Sequence, residues 1–160
     1  MQVPETRTVK TFDMPDVVEG PWAKSLTISW SLDAESDPKS MYDTTIESYT
    51  KPVVTDETPE DMKEKVNNLT DEAFEEKRKK WVEEDAERLK TFGVKWHYLC
   101  CKVRLAYVVE HTLEYIDSIG ICRVESDADD EHIAQIEDEE ISNVLDIVKV
   151  LRITMLEAAD

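Results

Sequence analysis

The chain has 160 residues, 41% apolar and 35% charged, with 37 acids against 19 bases and a formal net charge of −18. That length suits one domain spanning residues 1–160, and the apolar fraction is too high for a disordered chain. So negative a surface repels phosphates, which excludes direct binding to nucleic acid or an anionic membrane and points to basic partners.

Residues 1–22 carry Pro4, Pro15, Gly20 and Pro21 without a period, and are expected to form an irregular N-terminal arm. From Lys24 to Leu32 the chain alternates. Leu26, Ile28, Trp30 and Leu32 fall on one side and Thr27, Ser29 and Ser31 on the other, which predicts a half-buried strand. Asp37-Pro38 marks a turn, and residues 33–57 read as loop with one short element near 42–49. Thr58-Pro59-Glu60-Asp61 is a helix start, with Thr58 as cap and Pro59 in the first helical position. A second start at Thr70-Asp71-Glu72 leads into Phe74, Trp81, Val82, Leu89 and Phe92 at helical spacing, and Gly93 can stop the helix. The helical region spans about 59–92.

Residues 94–109, VKWHYLCCKVRLAYVV, switch to period two. Leu99, Cys101, Val103, Leu105, Tyr107 and Val109 share one face, and Cys100, Lys102 and Arg104 the other. A return strand is expected over 113–124, broken near Asp117, Ser118 and Gly120 by a bulge or bend. Ser126-Asp127-Ala128-Asp129 then has the form of a capping box, with Asp where Glu is usual. An amphipathic helix follows over about 127–156, its apolar stripe made by Ile133, Ile136, Ile141, Val144, Ile147, Val148 and Leu151. These elements define an α+β fold, a small, mainly antiparallel sheet packed against helices.

From Glu125 to Glu140 there are nine carboxylates in sixteen residues and no base. Acids at a helix start complement its dipole, which accounts for Asp127, Asp129, Asp130 and Glu131. Farther in, Asp138 and Glu139 point away from the apolar stripe. Glu140 falls inside it, and Glu137 lies beside it. A carboxylate facing a core needs partners. The expected partners for Glu137 and Glu140 are Lys102, Arg104 and Arg123, as structural ion pairs locking helix to sheet.

The runs WHYLCCKVRLAYVV and SIGICRVESDADDEHIAQIEDEE resemble a family of small, mostly uncharacterised proteins of bacteria, phages and mobile elements. Its pattern is a strand of the type WHYVGIRAKA, a second strand ending in GLWGIESDSD, and an acidic helix with a paired Glu. The matching residues are Trp96, His97, Tyr98, Lys102, Arg104, Gly120, Glu125, Ser126, Asp127, Asp129, Glu139 and Glu140, with SLDAESDPKSMYD at 31–43 as a weaker upstream echo. Cys122 and Arg123 stand in place of the Trp-Gly of the pattern, and Cys100 in place of a Gly, which puts the turn before the helix in doubt. The resemblance implies a mobile-element setting and carries no activity or active site.

Chemistry-bearing motifs are sparse. The acids after Ser126 lack the glycine and terminal Glu of a calcium loop. His97, Cys100, Cys101, His111 and Cys122 show no zinc spacing, and neighbouring strand cysteines point to opposite faces. There is no nucleophile elbow and no phosphate-binding glycine loop. No catalytic residue, metal or cofactor is therefore expected. Three cysteines, two of them adjacent, and no leader predict reduced thiols, a cytoplasmic location and no disulfide framework.

The primary expectation is a non-enzymatic acidic interaction protein, a nucleic-acid mimic that inhibits a host defence or other nucleic-acid-binding complex. Its contact residues would be Asp127, Asp129, Asp130, Glu131, Asp138 and Glu139, and its partner a basic nucleic-acid-binding protein. One alternative is an assembly subunit forming a homodimer through the C-terminal stripe. The other is a small enzyme using Glu137 or Glu140 with Lys102, Arg104 or His97, which requires a cleft joining those groups.

Overall fold

A computed structural model describes residues 3–42 and 51–157. The short element expected near 42–49 falls almost wholly outside the described residues. Two compact units divide the chain: residues 1–36 with 94–160, and residues 37–93.

The first unit is built on six strands: β1 (Arg7–Asp13), β2 (Trp22–Leu32), β3 (Tyr98–Val109), β4 (Thr112–Asp117), β5 (Ile121–Glu125) and β6 (Leu156–Glu157). They form a sheet ordered β4-β3-β2-β1-β6, and β5 also pairs with β3; every strand pair is antiparallel. Ten residue pairs join β2 to β3, from Trp22 opposite Val108 to Leu32 opposite Leu99. The return strand is interrupted as expected. β4 pairs with the second half of β3 and β5 with its first half, and the break falls at 118–120.

Helix α3 (Asp130–Val150) covers one face of this sheet. The alternation of β2 and β3 dictates which face. Leu26, Ile28, Trp30, Leu99, Cys101, Val103 and Leu105 are buried there with Ile136, Val144 and Val148 of the helix, and together they form the core.

Several expectations are corrected. The N-terminal segment carries β1, because Val9 and Phe12 supply strand residues and Phe12 reaches the core. The last helix ends at Val150 rather than near 156: Leu151 closes it, Ile153 turns back into the core, and Leu156 and Glu157 pair with β1. Its cap is Asp129, whose side chain accepts from the His132 amide. Ser126 serves the strand instead, exchanging hydrogen bonds with the His97 backbone through its own amide and hydroxyl.

The second unit holds a 3-10 turn at Pro38–Ser40, α1 (Glu60–Asn67) and α2 (Asp71–Thr91). Thr70 caps α2 by accepting from the Ala73 amide. Thr58 does not cap α1; its hydroxyl accepts from the Thr55 amide, and Pro59 stands at the helix boundary.

Candidate functional site

Helix α3 divides its carboxylates between two environments. Glu140 is 2% exposed and Glu137 8% exposed, both on the side facing the sheet. Asp130, Glu131, Asp138 and Glu139 are exposed, as are Asp127 and Asp129 just before the helix.

Both inward acids are satisfied, though not by the bases expected. Glu137 accepts from the Trp30 indole N–H at 2.8 Å and from Arg7 of β1, whose guanidinium meets both carboxylate oxygens. Burial penalises the charged form of Glu137. The hydrogen bonds from Arg7 and Trp30 outweigh that penalty and hold its pKa below the ordinary Glu value. Glu140 accepts from the Gly120 amide at 3.1 Å and from the Asn143 side-chain amide at 3.1 Å. It thereby ties the helix to the gap between β4 and β5. Cys101 lies beneath the helix, where burial and the nearby Glu137 and Glu140 charges push its thiol up to about 12.

The pairing of Glu137 and Glu140 with Lys102, Arg104 and Arg123 is therefore corrected. Strand parity is the reason. Lys102 and Arg104 alternate with Cys101, Val103 and Leu105, so they project from the face that α3 does not cover. There Arg104 forms a bidentate pair with Asp117 at 2.6 and 2.9 Å. With Lys102, Thr6, Thr27 and Ser29 it lines a groove of about 250 Å³. Arg123 has a backbone φ of 59°; its amide donates to Asp33 and its side chain to Ser36. The sheet thus places Lys102 and Arg104 on the face away from Glu137 and Glu140. Most of the apolar stripe is engaged, since Ile136, Val144 and Val148 are core residues and Ile133 and Ile141 pack against them, whereas Ile147 and Leu151 are exposed.

The cysteines depart from expectation as well. Cys100 and Cys122 form a disulfide between β3 and β5, and Cys101 is a buried free thiol. Adjacent cysteines on β3 do face opposite ways. What the sequence hid is that Cys100 meets a cysteine of the return strand.

Sequence reasoning also missed Arg7, Trp30 and Asn143 as partners of the buried acids. Only Asn143 carried a local signal, lying three residues after Glu140 on one helix.

On the outer side of α3, Glu131, Asp138 and Glu139 share one side of the helix with Gln135, Ser142 and Asp146, whereas Asp130, exposed at the helix start, lies in line with Val148. None of Asp130, Glu131, Asp138 and Glu139 forms an ion pair among the described residues, whereas Asp146 pairs with Lys149 a turn later. No described helix is long and apolar enough to cross a membrane. No family model matches the chain, and neither a curated protein nor a solved structure matches it.

Proposed function

We propose that this protein is a non-enzymatic, acidic interaction protein that presents the outer side of α3 to the basic surface of a nucleic-acid-binding protein. In that role it occupies ground that a nucleic-acid backbone would otherwise fill. The reading rests on one observation: the exposed carboxylates Asp130, Glu131, Asp138 and Glu139 lie on one helix, and none of them forms an ion pair among the described residues. At about 1.5 Å rise per residue, Glu131 and Asp138 stand roughly 10 Å apart along one line of the rod. Fixed carboxylates of this kind lose little conformational entropy on meeting a cationic groove, and charge complementarity speeds the encounter.

The buried acids serve this surface indirectly. Glu137 and Glu140 fix the rotation and seat of α3, which determines which carboxylates face outward. The likeness of residues 96–109 and 118–140 to mobile-element proteins is consistent with a target among host complexes that handle nucleic acid.

The test is capture from a host lysate with wild type and with a triple variant, Glu131→Lys, Asp138→Lys and Glu139→Lys. Wild type should retain a basic nucleic-acid-binding protein that moderate salt releases, because exposed charge pairs are screened over about 10 Å at 0.1 M ionic strength. The variant should retain none. Salt-insensitive capture, or equal capture by the variant, contradicts the proposal.

A further inference from the structure

The outer face of the sheet holds a second cluster, unrelated to the α3 carboxylates. Register places it there. Ser31 stands opposite Cys100, and the Asp33 amide donates to the Tyr98 carbonyl, so Asp33, one residue past the end of β2 and two past Ser31, lies on the side shared with Cys100. On the other flank of β3, Leu99 pairs with Val124 and Cys101 with Ile121, so Cys100 faces two residues of β5, Cys122 and Arg123. That extra residue is a β-bulge, and the positive φ of Arg123 accommodates it. The bulge turns Cys122 toward Cys100, with Cα atoms 4.0 Å apart. A carboxylate oxygen of Asp33 and the two sulfurs all lie within 4.8 Å of one another.

Asp33 is held firmly. Its carboxylate accepts from the Glu35 and Ser36 amides, the Ser36 hydroxyl and the Arg123 amide. The Ser36 hydroxyl leads in keeping the Asp33 pKa below the ordinary Asp value, with burial opposing and the backbone donors assisting. Three ligand atoms of types S, S and O, two of them on strands and the third already oriented by hydrogen bonds, form a ligand set suited to a thiophilic divalent cation.

We propose that, once the disulfide is reduced, Cys100, Cys122 and Asp33 bind one Zn²⁺, leaving its fourth position open to water or an exogenous ligand. A dithiol reductant supplies two electrons and two protons and itself closes to a disulfide; the Cys100–Cys122 S–S bond breaks and two thiols form. Zn²⁺ then displaces both thiol protons, giving two S–Zn bonds and one O–Zn bond. The disulfide and the metal exclude one another, so the bulge carries either a covalent staple or a cation.

The test is metal titration of the full chain after anaerobic reduction with a phosphine, which ends as the phosphine oxide, using Zn²⁺ and the spectroscopic probe Co²⁺. Reduced wild type should bind one equivalent, with a thiolate-to-Co²⁺ charge-transfer band that distinguishes sulfur ligation from uptake by surface carboxylates. The disulfide form should show no such band. Cys101→Ala should bind as wild type does. Asp33→Asn should weaken binding on the order of tenfold or more while keeping the band. Cys122→Ser should lose the two-thiolate band, and circular dichroism reports whether this variant is folded; if it is not, Asp33→Asn and Cys101→Ala decide. Absence of the band in reduced wild type, its loss in Cys101→Ala, or unchanged affinity in Asp33→Asn overturns the proposal.

Discussion

Glu137 shows how a carboxylate can be both costly and useful. Its burial disfavours the charge, yet three charge-assisted hydrogen bonds, two from Arg7 and one from Trp30, keep it ionised. Replacing Trp30 with Phe removes the donor and also the pyrrole half of a buried indole, so the lost hydrogen bond sets the minimum cost. Urea denaturation should show a loss of at least about 1.5–3 kcal/mol, the usual worth of a hydrogen bond to a charged group. Because the folded pKa of Glu137 is depressed, its stabilising contribution is complete above the ordinary Glu value of 4.5 and disappears as pH falls through the lower folded value. Glu137→Gln should therefore be less stable than wild type at neutral pH and lose less on acidification across that window. A parallel acid limb in the two proteins would contradict the assignment. At Cys101, a thiol pushed up to about 12 is protonated at pH 7–8, so alkylation should require unfolding even after the disulfide is reduced. Labelling of Cys101 in the folded, reduced chain would show that α3 does not seal this position.

At the scale of elements, the informative junction is the gap between β4 and β5. Ser118 is buried; its amide donates to the Val103 carbonyl, and its hydroxyl accepts from the Val103 amide, so one residue replaces the missing ladder partner. Gly120 follows with a φ of 94°, and a Cβ there would stand 3.0 Å from Lys102 Cγ and 3.3 Å from the Cys101 carbonyl oxygen. Its amide binds Glu140, so the glycine joins sheet to helix. Gly120→Ala should cost about 1–3 kcal/mol by thermal or urea unfolding, through backbone strain and displacement of this contact. Wild-type stability would contradict that role. The bend was legible because Asp117, Ser118 and Gly120 interrupt an alternating run. The partners of Glu140 were not, since the Gly120 amide is backbone and leaves no trace in composition. The inward direction of both acids could be read from helical periodicity. Their bases could not, because Arg7 sits in a segment whose prolines hide a strand, and because the parity that sends Lys102 and Arg104 to the far face was not carried through to the helix.

At the scale of the whole molecule, half of the net charge belongs to the last 40 residues, and α3 exposes five of those acids on a frame fixed from beneath by two more, Glu137 and Glu140. The α+β class and the three main strands were legible from period alone. The disulfide was not: pairing Cys100 with Cys122 depends on a bulge whose register no local pattern reports. Charge reversal at Asp138 and Glu139 touches no core residue and should change stability within about 0.5 kcal/mol per site, while Glu131→Lys in the first helical turn should cost about 0.5–2 kcal/mol by reversing a favourable charge at the dipole's positive end, and circular dichroism should show the triple variant folded. Any loss of binding in that variant then reflects the surface rather than the fold. The most direct measurement is competition. Partner captured on immobilised wild-type protein at low ionic strength is challenged with duplex DNA, and the eluted fraction is measured against DNA concentration. The account predicts progressive elution, because DNA and the outer side of α3 compete for the same basic ground. A partner that stays bound when saturated with DNA would contradict it.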